Sequence, residues 1–242
     1  MPQADDANVR YAMRQLFGGA IEVFLPIDLI DSSDIRQIPD HQEVFLSPTT
    51  LTSVIFEINS YVNIAETEQA ANDVITPATS NTPDLAAAAH HFTDVIAPPD
   101  TLTTPLPPAR SVIMTRDSLN QFPAYVLAGT ITTYETRRSG NHASAPPTSQ
   151  PTSSLPESSL VHQLQLLVRL PQYATDLCVR INVPTKLVAG SGNNDVSSAD
   201  QLDVEREEAY AVQLLHKIIN TMEVHDFGLF GTEADNVHDP GW

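Results

Sequence analysis

The sequence lacks several features that whole classes of proteins require. It contains a single cysteine, Cys178, which excludes an intramolecular disulfide and a cysteine-based zinc site. That scarcity is typical of a reducing compartment. No apolar run approaches the ~20 residues that span a bilayer, and the N-terminus MPQADDANVR lacks the basic-then-apolar order of a signal peptide. These absences predict a soluble, intracellular protein.

Basic residues are also scarce. Lys and Arg number 12 against 30 Asp and Glu, so the formal charge is -18, whereas 41% of residues are hydrophobic and can build a core. The negative electrostatic potential of such a charge repels nucleic acid and anionic membranes and attracts cationic partners. The charge therefore predicts no nucleic-acid or membrane partner and favours a basic protein partner, although acidity can also serve solubility alone.

Motifs for nucleotide binding, metal binding and catalysis are missing as well. The chain has no GxxxxGK[ST], GxGxxG, CxxC, HExxH or GxSxG. Gly18-Gly19 is interpreted as a turn that needs positive φ, and the adjacent pair His90-His91 would point about 100° apart on a helix, away from a shared metal.

The remaining reactive groups also favour structural roles. Cys178 lies in an alternating apolar run, so a buried thiol is predicted. His225-Asp226 precedes apolar residues 227–230, which we interpret as a C-terminal segment docking on the core. We therefore predict no catalytic residue, no metal and no cofactor. An enzyme whose site is assembled by folding from scattered residues remains an alternative.

The pattern of apolar residues predicts an α+β protein. Strands are predicted at residues 20–25, 43–46, 53–58, 111–116, 124–135, 160–170 and 175–183. The last two are joined by four residues, which indicates an antiparallel hairpin. One helix is predicted from Pro83 to about Val95, capped by Thr82, and another from near Asp203 to Met222 with an apolar stripe that includes Val212. The prediction is a single-domain sandwich: a twisted antiparallel sheet of about six strands flanked by helices.

Composition also predicts the domain boundaries. Residues 1–12 and 232–242 are interpreted as tails, and residues 13–231 as one domain. Proline-rich, serine-rich and glycine-rich stretches at 97–109, 139–159 and 190–200 are interpreted as flexible insertions in that domain. A two-domain division at 139–159 is the alternative.

One short stretch, IPDHQEV at residues 38–44, concentrates polar side chains ahead of an apolar run. Read alone, it is a turn capped by Asp40 that leads into a strand carrying a solvated Glu43. Further acids lie close by in the chain, at Asp28, Asp31, Asp34 and Glu57. Asp31 is placed to cap a very short helix that includes Asp34. This density favours a rigid contact surface over an active site.

Five segments, in this order, carry a family resemblance: residues 16–48 (LFGGAIEVFLPIDLIDSSDIRQIPDHQEVFLSP), 53–62, 91–95, 166–184 and 224–231. They closely resemble the Mog-type Ran guanine nucleotide release factors. The resemblance implies a Mog/PsbP-like fold. It also implies binding to the small GTPase Ran and release of its guanine nucleotide, in support of nuclear protein transport. It further implies a regulator rather than an enzyme, placed in the nucleus and also in the cytoplasm, and we expect a monomer.

The resemblance also implies which residues contact Ran. Carried over onto this chain, the Ran-binding residues are Asp31, Asp34, Arg36, Pro39, Asp40, Gln42, Glu43, Phe45 and Glu57. Arg36 is expected to orient Asp31 or Glu43, and alanine at both Asp40 and Glu43 is expected to abolish Ran binding with stability nearly intact.

One departure from the family pattern is Ser60, which replaces the usual second acid three residues after Glu57. The alternative function is an adaptor that holds a cationic protein through the same acidic face without affecting nucleotide exchange.

Overall fold

Strands form where the alternating apolar runs predict them, and at four places where they do not. The computed structural model describes residues 9–63, 83–134, 158–185 and 198–231, and for residues 198–203 it describes the backbone only. In the described part the strands are β1 Tyr11–Leu16, β2 Ile21–Pro26, β3 Ile30–Asp31, β4 Gln42–Leu46, β5 Ser53–Ser60, β6 Thr101–Leu102, β7 Arg110–Val112, β8 Ala124–Tyr134, β9 Ser158–Leu170, β10 Thr175–Thr185 and β11 Glu223–Val224.

The strands build two antiparallel sheets. The larger sheet has eight strands in the order β3-β4-β5-β10-β9-β8-β6, with β7 also paired to β8, and the smaller has the order β1-β2-β11. The predicted α+β class is confirmed, but the predicted number of about six strands is too low. β3, β6 and β11 are two residues long, too short for any periodic signal, and β1 mixes polar and apolar residues on both faces.

Two helices flank the larger sheet. α1 spans Pro83–Thr93, close to its prediction, whereas its predicted cap at residue 82 lies outside the described residues. α2 spans Ser198–Thr221 and begins five residues before its prediction, because its first turn carries no apolar periodicity. Its buried face includes Ala211, Leu214 and Ile218, but Val212, assigned to that face from the sequence, is 41% exposed.

The β9–β10 hairpin divides the core into two layers. Residues 171–173 form a 3-10 turn between these strands, and Ala174 takes the left-handed conformation that completes it. The predicted alternation in β10 is confirmed: Leu177 and its face pack in the main core with α2, while Cys178 and Arg180 lie on the other face, which packs against α1. Burial raises the pKa of the Cys178 thiol to about 12, so it is unreactive.

The proline-rich segment 97–109 is packed against the domain, contrary to the prediction of a flexible insertion. It contains β6, and Leu106 is 1% exposed beside Phe92 of α1. At Gly129 in β8 an added Cβ would lie 2.6 Å from the Leu106 side chain, so glycine permits this close approach. Prolines interrupt regular pairing here without preventing burial, and for that reason composition alone was misleading.

Several elements begin at residues that differ from the predicted boundaries. β1 begins inside the predicted tail 1–12, and β9 and α2 begin inside the predicted insertions 139–159 and 190–200. The remainder of both insertions and the tail 232–242 lie outside the described residues. β8 precedes the segment 139–159 and pairs along its whole length with residues 158–168 of β9. Neither helix in the described part of the chain has the length and apolarity that crossing a membrane requires.

Candidate functional site: an acidic loop surface

Residues 27–41, between β2 and β4, form an exposed edge of the larger sheet, which we call the acidic loop surface. Its short helix at Ser32–Asp34 forms as predicted, because the Asp31 carboxylate accepts hydrogen bonds from the Ser33 N–H at 2.8 Å and the Ser33 hydroxyl at 2.7 Å. The backbone N–H of Arg36 then donates to the Ser32 carbonyl at 2.9 Å. This capped turn holds the surface in one conformation.

The IPDHQEV stretch is equally well ordered by its backbone. The Gln42 N–H donates to the Pro39 carbonyl, and the Ile58 N–H of the neighbouring strand donates to the His41 carbonyl, both at 2.9 Å. Asp40 lies at the tip of this turn and is exposed. The carboxylates of Asp34 and Asp40 form no hydrogen bond or ion pair with any other described residue, so both remain available to a partner.

Apolar side chains are exposed on the same surface. Ile27, Ile30 and Ile35 are 39%, 40% and 68% exposed, and they alternate with the acids in the chain. The sequence analysis missed them because an isolated isoleucine between polar residues has no periodic pattern that reveals its exposure. An apolar surface bordered by unpaired carboxylates is a common composition for a protein-binding site.

Glu43 acts inside the molecule. Its Oε1 accepts a hydrogen bond from the Phe17 N–H at 2.8 Å. Phe17, Gly18 and Gly19 all have positive φ, at 50°, 68° and 94°, as predicted for the glycine pair. The carboxylate therefore stabilises a strained turn and joins residues 17–20 to residues 38–45, both of which lie within residues 16–48, the first segment that carries the family resemblance.

Replacing Glu43 by alanine is expected to lower the free energy of unfolding by about 1–3 kcal/mol, because the Phe17 N–H loses a charged acceptor. Urea denaturation measures the loss. Glu43→Gln, which keeps an acceptor oxygen, should restore most of it, and an unchanged midpoint in the alanine variant would contradict the capping role. Because Glu43 makes this contact, we no longer expect alanine at Asp40 and Glu43 to leave stability nearly intact.

Glu57 is buried rather than exposed on the surface. It is 7% exposed on β5 and pairs with the Arg180 guanidinium of β10, while Gln42 Nε2 and Asn59 Nδ2 also donate to it. Burial opposes the charged form, but Arg180 and these hydrogen bonds outweigh it, so the pKa of Glu57 is lowered. Gln42 and Glu57 thus anchor the first residue of β4 to the sheet.

A lowered pKa makes this ion pair dependent on pH. The folded carboxyl holds its proton less tightly than the unfolded one, so its contribution to stability is complete above about pH 4.5 and is lost as the pH falls through the folded pKa. Glu57→Gln is expected to cost about 3–5 kcal/mol at pH 7, because Arg180 stays buried without its counter-charge. Urea denaturation from pH 7 to pH 3 should show that the difference in free energy of unfolding between this variant and the unmodified protein becomes smaller below pH 4.5. A difference that stays constant with pH would exclude the ionised pair as its cause.

Two further predictions for site residues are corrected. Phe45 is 2% exposed and packs edge-on against Phe56 with their ring centroids 6.2 Å apart, so it belongs to the core and cannot contact a partner. Arg36 was expected to orient Asp31 or Glu43. In the described part of the chain its exposed guanidinium forms no ion pair with either residue. Their carboxylates instead accept hydrogen bonds from Ser33 and from the Phe17 N–H.

A second buried ionic cluster lies between the sheet and α1, which we call the Arg169 cluster: Arg169, Asp176, Asp84 and His91. The Arg169 guanidinium donates to Asp176 at 3.1 Å, to Asp84 at 2.6 Å and to the Val62 carbonyl at 2.6 Å. The other Asp176 oxygen contacts His91 Nε2 at 2.8 Å and accepts from the Val62 N–H at 3.0 Å. The sequence analysis missed this cluster. The signal that could have indicated it is the presence of two charged residues, Arg169 and Asp176, within strongly apolar strands.

The His and Asp residues singled out near the C-terminus of the sequence have structural contacts. No group of three or more His, Cys, Asp and Glu residues among them is arranged to hold a metal ion. Asp226 caps the 3-10 turn at Phe227–Phe230, and His225 contacts Glu22 at 3.0 Å. Phe227 and Phe230 pack against the main core, which confirms the predicted docking of this C-terminal segment.

The chain is similar in sequence to proteins of one family. Residues 14–184 match the model of a family described as Ran-interacting Mog1 protein. A Ran guanine nucleotide release factor from Danio rerio is 27% identical over 90% of this chain and 99% of its own length. A probable ran guanine nucleotide release factor from Dictyostelium discoideum is 27% identical over 91% and 96%. The nuclear import protein mog1 of Schizosaccharomyces pombe is 53% identical over 45 residues, 18% of this chain and 24% of its own length.

The chain is also similar to solved structures. The crystal structure of the Saccharomyces cerevisiae Ran-binding protein Mog1p has 19% identity and a TM-score of 0.49, covering 92% of this chain and all of that one. The cyanobacterial PsbP of Synechocystis has 9% identity and a TM-score of 0.45, covering 93% and 98%.

Proposed function

The chain belongs to the Mog1 family of Ran-interacting proteins, and from this premise we propose that it binds the small GTPase Ran and promotes release of its guanine nucleotide. The family match over residues 14–184 is the observation that carries this proposal. It is supported by relatives named as Ran guanine nucleotide release factors that align over nearly their whole length. The protein acts in support of nuclear protein import, in the nucleus and also in the cytoplasm.

The acidic loop surface is the proposed Ran contact. Asp34 and Asp40 present unpaired carboxylates, Arg36 and Pro39 are exposed beside them, and Ile35 offers apolar area. Charge of this sign speeds encounter with a basic surface, and the exposed isoleucine supplies area that is desolvated on docking.

The remaining residues expected to bind Ran have supporting roles in this proposal. Asp31 caps the short helix, Gln42 contacts Glu57, and Glu43 holds the glycine turn. They present the exposed acids on a fixed backbone, which lowers the entropy cost of binding.

Nucleotide release then follows from binding alone, without a chemical step by this protein. If the acidic loop surface binds nucleotide-free Ran more tightly than nucleotide-loaded Ran, reciprocity weakens the nucleotide by the same factor. Exposed carboxylates are suited to compete with phosphate for cationic groups on the GTPase, or to disturb its magnesium site. The protein acts in this scheme as a monomer and as a regulator.

The deciding experiment mixes the full-length protein with Ran loaded with a fluorescent guanine nucleotide. At stoichiometric excess, we expect release to be faster than from Ran alone, and the acceleration to fall as salt rises from 50 to 500 mM, since salt screens the encounter. Co-purification without acceleration at any salt concentration would identify an adaptor that binds Ran without releasing nucleotide. Absence of both would exclude Ran as the partner.

A further inference from the structure

An apolar groove lies at the opposite edge of the larger sheet, between α2 and strands β7 and β8. Its volume is about 650 Å³, within the range that encloses a small organic ligand. Eight aliphatic residues are among those that line it, including Val112, Val126, Ala128, Leu164, Leu215 and Ile219. α2 leaves this part of the sheet uncovered, and Val126 and Ala128 are only partly buried although they point toward the main core.

The charge of the groove is opposite to that of the rest of the chain. Among the described residues that line it there is no Asp or Glu, whereas Arg110 and His216 both line it. Arg110 is exposed, and its guanidinium forms no ion pair within the described ranges. In a chain with 30 acidic and 12 basic residues, a lining that holds an unpaired arginine and no acid selects for an anionic group on the ligand.

The walls also restrict the shape of that ligand. The described lining contains no Phe, Tyr or Trp side chain, and its one aromatic ring is the imidazole of His216, so it offers little surface on which a planar group would stack. Valine, leucine and isoleucine side chains instead suit a flexible aliphatic chain, whose burial supplies non-directional binding energy. Val212 continues this apolar wall at the surface, where it is 41% exposed.

We propose that this groove binds an aliphatic carboxylate of the fatty-acid type, with the hydrocarbon chain between α2 and β8 and the carboxylate at Arg110. The site is separate from the acidic loop surface, because β8 and β4 lie toward opposite edges of the eight-stranded sheet. It is therefore a ligand site in addition to the proposed Ran contact, and blocking it leaves nucleotide release unchanged.

The test titrates the full-length protein with dodecanoate below its micelle concentration and follows binding by calorimetry and by amide chemical shifts. We expect saturable binding of one dodecanoate per chain, with shifts concentrated at residues 110–112, 126–128 and 212–219. Dodecanol, which has the same chain without the charge, should bind about tenfold more weakly, since it lacks the charge-assisted bond to Arg110.

Substitutions at two positions test separately how the ligand's carboxylate and its hydrocarbon chain contribute to binding. Arg110→Gln should weaken dodecanoate binding about tenfold and leave dodecanol binding unchanged. Val212→Trp should fill the groove and abolish binding of both, whereas Gln213→Trp, at an exposed position of α2 outside the groove, should leave both bound.

Equal unfolding midpoints for both tryptophan variants would show that blocking, and not misfolding, causes the loss. No saturable binding, shifts located elsewhere, or equal dodecanoate affinity in the Arg110→Gln variant would overturn the proposal. Binding of an apolar acidic peptide without binding of dodecanoate would overturn it in favour of a protein ligand.

Discussion

Reversing two charges of the acidic loop surface, with Asp34→Lys and Asp40→Lys together, is expected to slow Ran nucleotide release at least about 100-fold at equal protein concentration. Each substitution replaces an attractive contact with a like-charge contact against a basic partner, and such juxtapositions cost several kcal/mol at an interface. Stability should change by less than about 0.5 kcal/mol, because both side chains are exposed and form no bond with another described residue. The release assay and urea denaturation measure the two quantities separately.

The matched control reverses two exposed acids elsewhere, with Asp94→Lys and Asp117→Lys. These changes alter the net charge by the same amount but leave residues 27–41 unchanged. The control should keep release within about threefold of the unmodified protein, since distant charges affect mainly the salt-dependent encounter. Equal losses in both double variants would show that net charge, and not the acidic loop surface, controls release.

Replacing Asp176 by alanine is expected to lower the free energy of unfolding by about 3–5 kcal/mol, as much as any other single substitution proposed for this protein. Asp176 is 0% exposed and contacts Arg169, His91 and the Val62 N–H. Without it, the Arg169 guanidinium, itself 1% exposed, keeps Asp84 as its only charged partner among the residues that the structure describes. A loss of this size is a large fraction of the ~5–15 kcal/mol that stabilises a typical domain.

Urea denaturation at 15 °C, where a destabilised variant is most readily kept folded, measures this loss. Asp94→Ala is the surface control and should cost less than about 0.5 kcal/mol. If Asp176→Ala does not fold, the double variant Arg169→Met with Asp176→Leu tests the same explanation, because it removes both charges and should recover folding. If Asp176→Ala lowers the free energy of unfolding by less than about 1 kcal/mol, the Arg169 cluster contributes little to stability.

The local sequence was sufficient to predict the structure wherever the geometry of an element depends on that element alone. The alternation of Leu177 and Cys178 predicted the two faces of β10, since a strand places successive side chains on opposite faces. The cap at Asp31 and the turn at Gly18-Gly19 were also predictable, because each depends on residues no more than two positions apart. The acidic loop surface was located in the chain by the same kind of local argument.

The roles of individual acids could not be predicted in this way. Glu43 in β4 and Asp40 in the preceding turn lie three residues apart. The first accepts a hydrogen bond from the Phe17 N–H, 26 residues away, whereas the second is exposed. Glu57 pairs with Arg180, 123 residues away, through the adjacency of β5 and β10. Which carboxylates are buried and which are free depends on strand order and register, and no local pattern carries that information.

The sequence by itself thus determined the class of the fold, the hairpin β9–β10, the docked C-terminal segment and the segment that carries the exposed acids. Periodicity, capping and turn preferences act between neighbours in the chain and can be read there. The tertiary structure alone decided that Phe45 is core, that Glu57 is an internal ion pair, that the Arg169 cluster exists and that α2 leaves a groove open beside Arg110. Each of these depends on burial and on contacts between residues distant in the chain, because the charge and apolarity of a side chain act on whatever the fold places beside it.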